Sequence, residues 1–114
     1  MTFNFEIIEI DNALKVILSG RLDSNTSNLL EKNLLSLFEA SGRSVLIDFS
    51  ALDYISSAGL RVIIMAAKKA KDEKGKLMLF NMRPNVRSVF EISGLLMILE
   101  VVENQDQALA LLEY

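Results

Sequence analysis

The residues of this chain best able to do chemistry lie together in Asp53-Tyr54-Ile55-Ser56-Ser57-Ala58-Gly59-Leu60-Arg61. Two adjacent hydroxyls precede two small residues and a long apolar run. A hydroxyl at a helix start can accept a hydrogen bond from the unpaired N–H groups of the first turn. If it were phosphorylated, its charge would face the positive end of the helix dipole, which favours an anion. A partner pressed against that tip would then meet new charge and bulk. The plainer reading of the same residues is a structural cap, with Gly59 there for close packing. Spacing alone leaves open whether Ser56 or Ser57 caps.

Other chemistry has few residues to use. The chain contains no His and no Cys. It therefore lacks the commonest general base, the commonest metal ligand and any thiolate. Neither a Gly-x-Ser-x-Gly elbow nor a Gly-Lys-Ser/Thr phosphate loop occurs. No enzyme activity, metal or cofactor is expected. The bases gather between Arg61 and Arg87, where Lys68, Lys69 and Lys71 fall at a predicted helix end and suit its dipole. The aromatic interleaving of a single-strand binder is missing, so nucleic acid is not an expected partner. The opening Met1-Thr2-Phe3-Asn4-Phe5-Glu6 is strand-like rather than a charged-then-apolar leader. No apolar stretch is long enough to span a bilayer, so membrane insertion is not expected. A Cys-free chain suits a reducing cytoplasm, the expected location.

The elements that must position the Ser pair are legible in outline. Phe3–Ile10 alternates as a strand, Asp11-Asn12 is a turn, and Leu14–Leu18 reads as a second strand that Gly20 breaks. Asp23, Ser24, Asn25 and Thr26 are helix-capping types, and Leu30, Leu34, Leu37 and Phe38 follow at helical spacing up to Gly42. Ser44–Phe49 is apolar without alternation, which predicts a central strand buried on both faces. A loop over Ser50–Ser56 leads into a helix running to about Asp72, with Gly75 as its stop. Lys76–Asn81 is a strand. Pro84 opens a short helix that Gly94 ends. Ile98–Val102 is a last strand, and a helix capped by Asn104 packs through Ala108, Leu109, Leu111 and Leu112. The order β-β-α-β-α-β-α-β-α predicts one α/β domain over residues 1–114. Its sheet is mixed and mostly parallel, with about four helices mainly on one face and Val45–Phe49 at the centre.

These landmarks carry a resemblance. Leu46-Ile47-Asp48-Phe49-Ser50-Ala51-Leu52-Asp53-Tyr54-Ile55-Ser56-Ser57-Ala58-Gly59-Leu60 resembles the signature of STAS domains, specifically bacterial anti-sigma factor antagonists. Gly20-Arg21-Leu22-Asp23 is similar to the family's Gly-x-Leu-Asp step. Arg83-Pro84-Asn85-Val86-Arg87-Ser88-Val89-Phe90 and Ser93-Gly94-Leu95 are similar to its later landmarks. The resemblance covers nearly the whole chain. It implies that Ser57, two positions before the Gly of the Ser-x-Gly-Leu step, is the phosphoacceptor, with Asp23 near it. In many members Asp precedes the acceptor; here Ser56 stands there.

The resemblance further implies a partner-switching cycle. The unphosphorylated domain would bind an anti-sigma factor that is itself an ATP-dependent serine kinase, freeing a sigma factor. Phosphorylation of Ser57 would release the domain, and a PP2C-type phosphatase would reset it. The expected partner surface comprises Asp23, Asp53, Tyr54, Ser56, Ala58, Gly59 and Arg61. Two other classes of function remain: a fixed STAS subunit or scaffold of a transport or signalling complex, and an enzyme or small-ligand binder, against which the missing His and phosphate loop argue.

Overall fold

The computed structural model describes residues 3–41 and 43–112. Gly42, the expected end of the first helix, lies outside them. Two strands, β1 (Asn4–Ile10) and β2 (Ala13–Leu22), form an antiparallel hairpin. Asp11 occupies the left-handed region at its turn, with φ 51°, where a short polar side chain is tolerated. Helix α1 (Ser27–Ser41) leads to β3 (Ser44–Ile55), and α2 (Ser57–Asp72) leads to β4 (Leu77–Phe80). Helix α3 (Pro84–Ile92) and a 3₁₀ turn (Leu95–Met97) precede β5 (Val101–Val102), and α4 (Gln105–Leu112) follows.

The sheet order is β1-β2-β3-β4-β5, parallel except for the first pair, so β3 is central as expected. Because the order advances in one direction, three right-handed crossovers must lay α1, α2 and α3 on the same face. They pack there with Val45, Ile47 and Phe49 of β3 in the main core, where Phe49 and Phe90 meet edge to face. The intervening Leu46 points to the other face, under Ala108 of α4. Burial on both faces is what makes Val45–Ile47 a continuous apolar run.

Asp48 is the buried charged residue of that strand. Its Oδ1 accepts from the Ser50 N–H at 2.9 Å, and Lys15 lies 3.8 Å from its Oδ2. Lys15 in turn donates to Gln105 Oε1 at 2.6 Å, tying the start of α4 to the sheet. Each charge therefore has a polar partner, as burial requires.

Several expectations need correction. Gly20 does not break β2: it takes φ 88° at a register shift, and the strand runs on to Leu22. Ser50–Ile55 is not a loop, because β2 beyond the shift pairs with it, Arg21 opposite Tyr54 and Leu22 opposite Ile55. At the end of α2 the left-handed residue is Lys74 (φ 61°), not Gly75. The Lys74 N–H donates to Lys71 O and the Gly75 N–H to Ala70 O, satisfying carbonyls of the last turn. The last strand is only Val101–Val102, since the Ile98 and Leu99 N–H groups bond back to Leu95 O and close the 3₁₀ turn. Leu111 is exposed rather than packed, whereas Ala108 is buried.

Candidate functional site

The C-terminal ends of the neighbouring parallel strands β2 and β3 lie side by side, where α1 and α2 begin. The Ser56 N–H donates to Leu22 O at 2.9 Å. That bond sets the chain entering α2 beside the chain leaving β2, and Asp23 is the next residue. Outside the ends of parallel strands is where α/β folds place ligand and partner sites.

The two serines divide the helix start between them. Ser56 is extended (φ −94°, ψ 175°), the conformation of an N-cap, and its Oγ accepts from the Gly59 N–H at 3.2 Å. Ser57 is the first helical residue and is exposed. Its hydroxyl makes no hydrogen bond among the described residues, so it is available to another molecule. Ala58 is half-buried beside it.

Gly59, expected on the partner surface, is instead buried. A Cβ there would lie 2.8 Å from Ile55 Cγ1 and 2.9 Å from Leu22 Cγ. Both contacts are too short for carbon atoms, and both side chains belong to the core. The missing side chain lets the first turn of α2 lie against the ends of β2 and β3, which fixes the position of the Ser57 hydroxyl.

The remaining candidates surround this tip. Asp23 is half-buried; its Oδ1 accepts from the Asn25 N–H at 3.0 Å, and its own N–H donates to Thr26 Oγ at 3.0 Å. The carboxylate thus holds the turn before α1. Thr26 Oγ also donates to Arg21 O at 3.0 Å, fastening that turn to β2. Arg61, four residues after Ser57, is exposed and lies 3.9 Å from Glu31 of α1. Tyr54 is partly exposed and carries the Arg21 guanidinium over its ring, 4.1 Å from the centroid, a favourable cation–π geometry.

Asp53 faces the start of α3, where its carboxylate pairs with Arg83. Arg83 also donates through Nε to Ser50 O at 2.7 Å, and Asn85 Nδ2 donates to Asp53 O at 2.7 Å. Arg21, Arg83 and Asn85 therefore belong to the tip although sequence reasoning gave them no role there. Arg83 and Asn85 meet Asp53, and Arg21 meets Tyr54, across some thirty residues of sequence, and no local spacing pattern reports such contacts.

Nothing in this arrangement resembles an acid–base pair or a nucleophile with its base. Among the described residues no group of three or more His, Cys, Asp or Glu is placed to hold a metal. No helix among them is long and apolar enough to cross a membrane. What the tip offers is an exposed Ser57 hydroxyl at the first helical position of α2.

Comparisons with known proteins agree with the landmarks. The sequence profile described as the STAS domain matches residues 4–108. BtrV of Bordetella bronchiseptica, named as a candidate anti-sigma factor antagonist, is 41% identical over 102 residues, covering 90% of this chain and 88% of its own. A Thermotoga maritima crystal structure, also of a candidate anti-sigma factor antagonist, superposes with a TM-score of 0.89 at 18% identity, covering 96% of this chain and 95% of that one. The Bacillus cell-fate determinant SpoIIAA in its phosphorylated form has a TM-score of 0.72 at 19% identity, over 94% of this chain and 97% of its own.

Proposed function

The chain belongs to the STAS family, and we propose that it is an anti-sigma factor antagonist whose binding is switched off by phosphorylation of Ser57. The observation that carries this reading is the division of labour at the α2 start. Ser56 has its hydroxyl committed to the Gly59 N–H, while the Ser57 hydroxyl is exposed and without a protein partner among the described residues. The name of the 41%-identical relative supports the antagonist role. The phosphorylated SpoIIAA structure provides a precedent for modification within this fold.

In this reading the unmodified tip docks against an anti-sigma factor that is an ATP-dependent serine kinase, which frees a sigma factor. The contacts come from Asp23, Tyr54, Ser56, Ala58 and Arg61. Asp53 contributes through its pairing with Arg83, and Gly59 acts from beneath by placing the helix. The kinase transfers the terminal phosphoryl group of ATP to Ser57 Oγ, the hydroxyl proton leaves, and ADP departs. The phosphate sits at the positive end of the α2 dipole, so the domain carries it without unfolding. At the interface the same charge must be desolvated against a surface that fitted a neutral hydroxyl, and the complex separates. A PP2C-type phosphatase restores the hydroxyl. The chain itself supplies an acceptor and a surface, not a catalyst, and the cycle runs in the cytoplasm.

The test is a kinase reaction with the anti-sigma factor encoded in the same genome, followed by peptide mass spectrometry and binding titrations. One phosphate is expected, on Ser57. Ser57→Ala should remain bound in the presence of ATP. Ser57→Asp should bind at least about tenfold more weakly, a loss of roughly 1.4 kcal/mol or more. Phosphate on Ser56, or undiminished binding by Ser57→Asp, would overturn the mechanism.

A further inference from the structure

The sheet has two edges of unequal character. At one, β5 is two residues long and followed at once by α4, too short to template another strand. At the other, β1 is seven residues long and pairs with β2 without a register shift. Its outer row of N–H and C=O groups therefore runs straight from Asn4 to Ile10. Edge strands are commonly protected by charged side chains, above all Lys, by Pro, by a bulge or by a covering element; the charges of β1 are Glu6 and Glu9, and Glu9 is paired with Arg43. Within β1 there is no Lys, Pro or bulge. Instead Ile7 and Ile8 are 40% and 43% exposed, and as neighbours on a strand they point to opposite faces of the sheet.

We propose that β1 pairs with β1 of a second copy of this chain, antiparallel about a two-fold axis normal to the sheet, with Ile7 opposite Ile7 of the other copy. The register follows from geometry. Such an axis keeps each face of the sheet on its own side, and residues directly opposite must share a face. The numbers of opposed residues must therefore sum to an even value. The register centred on Glu6 sets carboxylate against carboxylate. The register centred on Ile8 sets Ile7 against Glu9 and Phe5 against Asp11, beyond the strand.

Only the register centred on Ile7 pairs the whole of Asn4–Ile10. It sets Asn4 opposite Ile10, Phe5 opposite Glu9 and Glu6 opposite Ile8. No acid faces an acid directly, and Glu9 is already neutralised by Arg43 of its own chain at 2.8 Å. Ile7 gains an apolar neighbour on the α1–α3 face and Ile8 gains the stem of Glu6 on the other. The strand offers both the hydrogen-bonding row and a self-complementary pattern, which is the ground for choosing a second copy over an unrelated strand. The result is a continuous ten-stranded sheet, five strands from each copy. The edge occupied is not the tip that carries Ser57.

The chain has no Cys, so a single introduced thiol reports the register. Opposed strand residues lie within the Cα separation a disulfide spans. Sedimentation velocity on the wild-type chain over a concentration series should show a monomer–dimer equilibrium. Ile7→Lys, a substitution at a partly exposed site, should weaken it at least about tenfold while leaving the circular dichroism spectrum unchanged. On mild oxidation Ile7→Cys should give a covalent dimer, and Ile8→Cys, which faces Glu6 rather than itself, should cross-link far more slowly. A chain monomeric throughout the series, a dimer indifferent to Ile7→Lys, or equal cross-linking at both positions would overturn the proposal.

Discussion

Removing each serine hydroxyl in turn separates the structural role from the signalling role at the start of α2. Ser56 Oγ accepts from the Gly59 N–H at 3.2 Å in a half-buried setting. Ser56→Ala leaves that N–H without its partner, and loss of a cap of this kind costs about 1 kcal/mol, within a range of about 0.5–2. For a domain of this size that corresponds to a fall in Tm of about 4 °C. Ser56→Asp keeps an acceptor at the same place and adds a charge the dipole favours, so it should recover most of the loss. Ser57 has no such bond and is exposed. Ser57→Ala puts a better helix former on a solvated site and should change stability by less than about 0.5 kcal/mol in either direction. Urea melts of the three variants and the parent, with unchanged m values, measure the differences directly. Equal costs for Ser56→Ala and Ser57→Ala, or no cost for Ser56→Ala, would refute the assignment of the cap and remove the reason for regarding Ser57 as the free hydroxyl.

Two further outcomes are expected. Gly59→Ala drives a methyl group to 2.8 Å from Ile55 and 2.9 Å from Leu22; overpacking of a well-filled core costs about 1–3 kcal/mol. A melt should show the loss, and binding of the anti-sigma partner should weaken because the tip shifts; a Gly59→Ala variant as stable as the parent would show that α2 yields freely. The Lys69 pKa is raised above its ordinary value, chiefly by its hydrogen bond to Glu39 of α1, with Glu39 and Glu73 also contributing charge. A raised folded-state value means the α1–α2 link is intact below the ordinary lysine pKa and is lost as pH rises through the folded value. An NMR titration of the Lys69 side chain should show a lower midpoint in Glu39→Gln, and an unchanged midpoint would dissociate the shift from that bond.

Much of this protein is legible in its sequence because the signals are local. Alternation marked β1 and β2, an apolar run without alternation marked β3 as central, and helical spacing of Leu30, Leu34 and Phe38 marked the buried stripe of α1. Asn104 caps α4 as its type suggests, accepting from the Gln107 N–H at 2.9 Å, and Pro84 opens α3. Tertiary structure decided the rest. Ser50–Ile55 is strand because β2, shifted at Gly20, supplies its hydrogen bonds from thirty residues away. Polar residues that alone favour a loop are overridden by such pairing. The choice between two adjacent serines depended on the extended backbone at Ser56, set by its N–H bond to Leu22. Gly75 read as the stop of α2, but the helix ends at Asp72 with Glu73 as its cap, and Lys74 takes the left-handed conformation. The pairs Asp53–Arg83 and Tyr54–Arg21 exist only once β3 lies between β2 and the start of α3. Local sequence determines what each segment can become; the contacts that form the Ser57 tip come from three separate segments, and only their packing brings them together.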